Sequence, residues 1–278
     1  MSLPGRLLEV NGIRLHVHEQ GTGMPVLLLH GFPDSSSLWR HQVPALVAAG
    51  YRVIAPDLRG FGASDKPAAV DAYAIPTLLG DVAGLLDALA VPRCHVVCHD
   101  WGAALGWGLA MFMPDRVDRL VALSVGHFGA FFATDIEQRE KSWYMLFFQY
   151  EGIAEQALQE NDWKLFREWT RQHPELATWI PELSRPGALT AALNWYRANV
   201  NPARPGLEGM EFPPVKAATL GVWSTRDAYL TEPQMTASKE FVSGEWRYER
   251  LDGASHWLML DQPERVTSLI LDWLRARE

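Results

Sequence analysis

A chain of 278 residues, of which 48% are hydrophobic and 21% charged, has the composition of a globular protein with a large core. Its net charge of −8, with no basic stripe, argues against nucleic acid or an anionic membrane surface as a partner. No apolar run approaches the length of a membrane span or of a signal peptide, so we expect neither.

The first predicted element is a β-hairpin with strands over residues 7–10 and 13–18. The pair Asn11-Gly12 lies between them and supplies the positive φ values that a tight hairpin turn needs. The next strand, 26–29, is a continuous apolar run, which is typical of a strand buried on both faces of a parallel sheet.

Alternating helices and strands follow, which predicts βαβ units and a mostly parallel sheet. The helices are predicted over residues 38–49, 77–90, 102–113 and 266–275, and the strands over 52–55, 94–98, 120–125, 219–223 and 247–251. Between about 130 and 213 the alternation stops and the chain is predicted to be helical and rich in tryptophan. We therefore expect a core formed by residues 1–129 and 214–278 and a helical cap formed by residues 130–213.

The only two cysteines, Cys94 and Cys98, lie in one predicted strand. At about 3.3 Å per residue their Cα atoms would be roughly 13 Å apart, and a disulfide needs about 7 Å or less. Reduced cysteines favour a cytoplasmic enzyme.

The segment around Asp100 is predicted to be a strand, a sharp turn and a helix. With Cys98 and Gly102 as its small residues, it resembles the nucleophile elbow of the α/β-hydrolase fold. An aspartate is already ionised at neutral pH. It suits displacement at an sp3 carbon, with an alkyl ester as intermediate, better than attack on an acyl carbonyl. The alternative is that Asp100 simply caps the helix.

His256 follows the last predicted strand, where this fold places its general base. It would activate a water molecule that hydrolyses the Asp100 ester. Asp227 follows the preceding strand and would orient His256. Asp252 and Asp261 are rivals for that role, although a turn explains Asp252 and an N-cap position explains Asp261.

The segment His30-Gly31-Phe32-Pro33 follows the third strand, which in this fold supplies an oxyanion-hole amide. The backbone N–H groups of Phe32 and Trp101 are therefore the predicted oxyanion hole. Their side chains are expected to line the substrate site.

These motifs resemble those of the epoxide hydrolases of the α/β-hydrolase fold, over nearly the whole chain. The core motifs are His30-Gly31-Phe32-Pro33, His99-Asp100-Trp101-Gly102 and Ser255-His256-Trp257. The resemblance implies an eight-stranded sheet flanked by helices, with an inserted helical cap. Two cap segments, 142–149 and 194–199, are similar to those that carry the family's tyrosines, which map onto Tyr144 and Tyr196.

Two phenols aimed at the leaving oxygen of an epoxide would stabilise its charge, and one could protonate it. Alternatively, both tyrosines pack the lid, and Tyr150 lies nearby as another aromatic residue. The predicted substrate-binding residues are Phe32, Trp101, Phe147 and Trp257.

The resemblance predicts conversion of a small apolar epoxide and water to a vicinal diol, with no cofactor or metal, by a monomer or homodimer. A haloalkane dehalogenase, whose elbow this chain also resembles, would use the same aspartate nucleophile. That family, however, binds the halide leaving group with indole N–H groups and often with an Asn at the position of Phe32. A fluoroacetate dehalogenase would need arginines where Trp101 and Ala104 stand. A third alternative is a non-catalytic ligand receptor on the same fold.

Overall fold

The computed structural model describes residues 3–133, 136–200 and 211–275, and in these ranges the chain forms one eight-stranded sheet. The strands are β1 Arg6–Val10, β2 Ile13–Gln20, β3 Pro25–Leu29, β4 Arg52–Pro56, β5 Cys94–His99, β6 Val117–Leu123, β7 Ala218–Ser224 and β8 Trp246–Leu251. Their spatial order is β1-β2-β4-β3-β5-β6-β7-β8. Only β2 runs antiparallel to its neighbours among these strands, so the predicted fold class is confirmed.

The hairpin at the edge of the sheet turns at Asn11-Gly12, as predicted. Val10 pairs with Ile13, and the two turn residues have φ values of 49° and 78°. This is the left-handed region, which glycine and asparagine enter more readily than other residues.

The centre of the sheet is buried on both faces. Every residue of β5 is buried, as are the last four residues of β3, because helices pack against the sheet on each side. The helices are α1 Gln42–Ala48, α2 Ile75–Ala88, α3 Trp101–Phe112, α4 Phe128–Phe132, α5 Ile136–Lys141, α6 Trp143–Phe147, α7 Ile153–Trp169, α8 Leu176–Leu183, α9 Ala188–Asn199, α10 Glu232–Thr236, α11 Leu258–Asp261 and α12 Pro263–Arg275.

The predicted helix over residues 38–49 was too long. The structure has a short 3₁₀ turn, Ser36–Trp39, and α1 begins only at Gln42. Pro44 has no N–H to donate to a preceding turn, so the helix starts where Pro44 falls within its first turn.

Helices α4 to α9 all lie between β6 and β7 in the chain. Helix α4 begins at Phe128, two residues before the segment that was predicted to be helical, and α5 to α9 lie within that segment. Within α7 the backbone leaves the helical region at Glu160 and is left-handed from Asn161 to Trp163, so the helix is broken in two. Residues 134–135 and 201–210, which belong to the predicted cap, lie outside the described ranges. In the ranges described, no helix combines the length and the apolar character needed to cross a membrane.

Candidate active site

Asp100 lies between β5 and α3 on a turn that few residues other than glycine adopt. Its φ is 51°, a conformation that costs a non-glycine residue on the order of 1–3 kcal/mol. A Cβ on Gly31 would overlap the Asp100 carboxylate, and one on Gly102 would overlap the backbone of Leu29. The Asp100 side chain makes no capping bond to α3, so helix capping does not explain an aspartate here.

One of the two predicted oxyanion-hole amides hydrogen-bonds to the Asp100 carboxylate. The N–H of Phe32 donates to Oδ1 at 2.7 Å, and the N–H of Trp101 lowers the pKa of that carboxylate. Burial raises the pKa of Asp100, but His256 and the Trp101 amide outweigh burial and hold that pKa below its ordinary value. Asp100 is therefore an ionised carboxylate whose Oδ1 is fixed by a backbone donor.

His256 and Asp227 come together in the loops that follow β8 and β7. Nδ1 of His256 is 2.8 Å from Oδ2 of Asp227, and Nε2 of His256 is 3.6 Å from Oδ2 of Asp100. The second oxygen of Asp227 accepts the N–H groups of Tyr229 and Leu230 at 2.8 and 3.0 Å. Asp227 is thus held on both oxygens, with one of them aimed at the imidazole.

Asp252 and Asp261, the other carboxylates near His256 in sequence, are bonded elsewhere. The Asp252 side chain is 85% exposed beside Arg250. Asp261 accepts the N–H of Ser255 at 2.6 Å and lies 3.4 Å from His173, contacts that the N-cap interpretation did not foresee. Within the described ranges, Asp227 is the carboxylate bonded to Nδ1 of His256.

The surroundings of His256 favour its charged form. Burial alone would lower the pKa of His256, but the carboxylates of Asp227 and Asp100 outweigh burial and raise it to about 10. The backbone oxygen of His256 accepts Nε2–H of His99 and Oγ–H of Ser124, both at 3.0 Å. In the free enzyme at neutral pH, a fixed imidazolium therefore lies between two carboxylates.

Tyr144 on α6 and Tyr196 on α9 meet although they are 52 positions apart in the sequence. Their ring centroids are 5.9 Å apart, and both side chains are buried. Burial, and then the charge of Asp100, raise the pKa of each phenol well above 10, so both remain protonated donors. The rings of Trp101 and Tyr196 are in contact, with 5.0 Å between their centroids. Tyr150, in contrast, is 61% exposed.

Phe32 forms part of an aromatic wall beside these tyrosines. Its ring centroid is 5.8 Å from that of Tyr196 and 5.9 Å from that of Phe148. Phe147, the predicted wall residue, has ring contacts with Trp143 and Phe148. Its neighbour Phe148, which was not predicted, contacts both Phe32 and Tyr196.

Trp257, also predicted to bind substrate, packs against His256 with 5.3 Å between ring centroids. The prediction missed two further aromatic residues. Tyr229 contacts His256 at 5.2 Å and Tyr144 at 5.8 Å, and its hydroxyl donates to the backbone oxygen of Trp169 at 2.8 Å. The sequence could have indicated Tyr229 as a site residue, because it lies two positions after Asp227. Trp169, 5.1 Å from Tyr144, carried no signal in the sequence.

Asp34 was missed as well, although it directly follows the predicted oxyanion segment. Its Oδ1 accepts the indole N–H of Trp179 at 2.7 Å, which joins this core loop to α8. Its Oδ2 is buried without a hydrogen bond among the described residues. Burial raises the pKa of Asp34 to about 7.

Comparisons with known proteins agree with this architecture. The sequence profile of the family described as alpha/beta hydrolase fold matches residues 24–263. Epoxide hydrolase A of Mycobacterium tuberculosis is 34% identical to this chain, with 98% of each chain covered. The AB hydrolase superfamily protein YfhM of Bacillus subtilis is 36% identical, with 97% of each covered.

A solved structure of an epoxide hydrolase from Bacillus megaterium in complex with an inhibitor superposes with a TM-score of 0.88 at 26% identity. It covers 98% of this chain and 100% of that one. A variant of the same enzyme was crystallised with its product, (R)-3-[1]naphthyloxy-propane-1,2-diol, and superposes with a TM-score of 0.87 at 27% identity, with 98% of this chain and 100% of that one covered. The chain belongs to the epoxide hydrolases of the α/β-hydrolase family, and it is a hydrolase.

Proposed function

We propose that this enzyme opens an apolar epoxide through a covalent alkyl ester on Asp100 and then hydrolyses that ester to release a vicinal diol. One observation carries the proposal. Two buried phenols from separate helices, Tyr144 and Tyr196, meet with 5.9 Å between ring centroids. Tyr196 also contacts the ring of Trp101, which directly follows Asp100, and the charge of Asp100 raises the pKa of both phenols. A nucleophile and two proton donors are the groups that an epoxide opening requires.

In the first step, Oδ2 of Asp100 attacks one epoxide carbon and the bond from that carbon to the ring oxygen breaks. Negative charge builds on the departing oxygen, where Tyr144 and Tyr196 donate hydrogen bonds and one of them transfers its proton. Oδ1, which accepts the Phe32 amide at 2.7 Å, becomes the carbonyl oxygen of the new ester.

The same step prepares the base for the second step. Esterification removes the negative charge of Asp100, one of the two carboxylates that raise the pKa of His256. That pKa therefore falls, and the proton that His256 releases replaces the one that the tyrosine gave to the epoxide oxygen. His256 is then neutral and able to accept a proton from water. Asp227 keeps the ring oriented and stabilises the imidazolium when it forms again.

In the second step, water deprotonated by His256 attacks the ester carbon of Asp100. The developing oxyanion on Oδ1 is stabilised by the N–H groups of Phe32 and Trp101, each worth roughly 2.7–4 kcal/mol in sites of this kind. The bond from the carbon of Asp100 to the diol oxygen breaks, and His256 protonates that oxygen. The new carboxylic acid of Asp100 then passes its proton to His256, which restores the carboxylate and the imidazolium of the free enzyme.

The rings of Phe32, Trp101 and Phe148 contact Tyr196, and that of Trp169 contacts Tyr144. Such aromatic walls favour an aryl or alkyl epoxide. An aryloxy epoxide is one such substrate, in keeping with the naphthyloxy diol bound by the Bacillus megaterium relative. We further propose residues 130–213 as the cap domain and 1–129 with 214–278 as the core. The proposed steps need only side chains and water, and we propose a monomeric or homodimeric enzyme in the cytoplasm, where Cys94 and Cys98 stay reduced.

A single-turnover experiment in H₂¹⁸O tests the mechanism. With enzyme in excess over styrene oxide, we expect an unlabelled diol and ¹⁸O in the peptide that contains Asp100, because the new diol oxygen comes from the carboxylate. Direct attack by water on the epoxide would instead place ¹⁸O in the diol, which would refute the covalent step. Asp252→Asn, at the 85% exposed carboxylate, is the matched control and should behave as the wild type does.

The haloalkane dehalogenase alternative is tested with the same preparation by bromide release from 1-bromobutane, which should be negligible beside diol formation. Asp100→Asn should abolish epoxide turnover, apart from slow deamidation that restores the acid. Full activity of Asp100→Asn from the first turnover would show that the nucleophile is misassigned.

A further inference from the structure

Gln138 is a buried amide on α5 that lies outside the proposed reaction. Its exposed fraction is 2%. Its Oε1 accepts the backbone N–H of Thr231 at 2.8 Å and the hydroxyl of Thr231 at 3.1 Å. Its Nε2 donates to the backbone oxygen of Tyr229 at 2.8 Å and to Oγ of Ser142 at 2.9 Å. Two bonds accepted and two donated use the ordinary capacity of an amide, so Gln138 acts on the protein rather than on a ligand.

One side of this amide holds the loop that aims Asp227. Residues 227–231 form that loop, and the backbone N–H groups of Tyr229 and Leu230 fix Oδ1 of Asp227. Lys141, one turn further along α5, donates to the backbone oxygen of Asp227 at 3.0 Å. Helix α5 therefore binds both ends of the loop whose carboxylate orients the general base.

The network continues from this loop to His256 itself. Nε2 of Gln234 donates to the backbone oxygen of Thr231 at 3.0 Å and to that of Ser124 at 2.9 Å. Oγ of Ser124 donates to the backbone oxygen of His256 at 3.0 Å. These groups are buried, so water does not compete for their hydrogen bonds, and buried networks of this kind are stronger and more rigid than exposed ones.

The other side of the amide holds the helix that carries a proposed proton donor. Ser142, which accepts a bond from Gln138, is the residue that precedes α6, and Tyr144 is the second residue of that helix. The side chain of Gln138 is thus hydrogen-bonded both to the loop that carries Asp227 and to the residue that precedes the helix of Tyr144.

We infer that Gln138 is a positioning residue that fixes Tyr144 and the Asp227–His256 pair relative to one another, and so serves both chemical steps. This inference rests on the proposed function, because it assigns the two steps to those groups. A fixed separation matters because a misplacement of about 1 Å in such a site can cost about 100-fold in rate.

The test uses three variants that release different sides of the amide. Gln138→Leu removes the four bonds described above and should lower the rate constants of both alkylation and hydrolysis at least tenfold. Ser142→Ala frees only the α6 side and should slow alkylation at least threefold, with hydrolysis within twofold of wild type. Thr231→Val frees part of the loop side and should slow hydrolysis at least threefold, with alkylation unchanged. Stopped-flow tryptophan fluorescence and acid-quench mass spectrometry separate the two rate constants.

Gln156→Leu is the matched control, because Gln156 is an exposed cap amide whose Nε2 donates to Glu160. It should leave both rate constants unchanged. If Gln138 only stabilised the fold, Gln138→Leu would lower Tm, and Ser142→Ala and Thr231→Val would each change the alkylation and hydrolysis rate constants by the same factor. That pattern would overturn the inference. So would rate constants within twofold of wild type in all three variants.

Hydrogen exchange of the resting enzyme provides a readout that does not depend on turnover. Gln138→Leu should increase amide exchange in residues 227–231 and in α6 together, whereas Ser142→Ala should increase it in α6 alone. Unchanged exchange in Gln138→Leu would refute the positioning role. If the wild type forms no alkyl-enzyme, the proposed function fails, and the exchange data still decide whether Gln138 links the two segments.

Discussion

The charge of Asp100 should control the protonation of His256, and Asp100→Asn isolates that effect. Asparagine keeps an oxygen for the Phe32 amide but carries no charge, as the ester would. At 3.6 Å from Nε2 of His256, a unit charge is worth about 4–5 kcal/mol at an effective dielectric constant of about 20, or about 3 pKa units. The pKa of His256, which the two carboxylates raise to about 10, should therefore fall to about 7 in the variant.

Titration of the His256 ring by NMR in ¹⁵N-histidine-labelled protein measures this change directly. The His256 signals are assigned by comparison with His256→Gln, and the mass of Asp100→Asn is checked so that deamidated protein is excluded. Asp252→Asn, an exposed carboxylate near His256 in sequence, should leave the titration unchanged. If the pKa of His256 changed by less than half a unit in Asp100→Asn, loss of the Asp100 charge on alkylation could not convert His256 into a general base.

Tyr144→Phe and Tyr196→Phe should each slow alkylation by about 100-fold and leave ester hydrolysis within twofold; stopped-flow kinetics would contradict the assignment if hydrolysis slowed equally. Asp34→Asn should raise Tm more at pH 8 than at pH 4. The folded protein holds a proton on Asp34 up to about pH 7 that the unfolded chain releases near pH 4, so wild-type stability falls as the pH rises through that window. Equal shifts at both pH values, measured by calorimetry, would disprove this linkage. Gly31→Ala should lower alkylation about 100-fold, because its Cβ would overlap the Asp100 carboxylate; intact-mass detection of normal alkylation would rule out that overlap as a constraint.

The sheet and the positions of the elbow and its partners could be predicted because they depend on local patterns and chain order. Continuous apolar runs identify the buried strands, and the carboxyl ends of β5, β7 and β8 fix where Asp100, Asp227 and His256 emerge. Gly31 and Gly102 also supported the prediction of the elbow, because residues without a side chain leave room for its turn.

The walls of the site could not be predicted in the same way. Successive residues of an α-helix point about 100° apart, so which of Phe147 and Phe148 faces Tyr196 depends on the phase of α6. In a segment where nearly every residue is apolar, composition does not determine that phase. Gln138 and Thr231 lie 93 positions apart, and only the folded chain shows that α5 and the loop of Asp227 meet there.

Helices α4 to α9 enter the chain between two neighbouring strands, β6 and β7, and this arrangement divides the chemistry by location. Under the proposed mechanism, the groups that attack and hydrolyse belong to the sheet and its loops, and the groups that receive the departing oxygen belong to the insertion. Evolution could therefore change which bond the enzyme breaks by altering one continuous stretch of sequence. The hydrogen bonds of Gln138 would restrict such a change, because any replacement for the inserted segment would have to form the same bonds with the loop of Asp227.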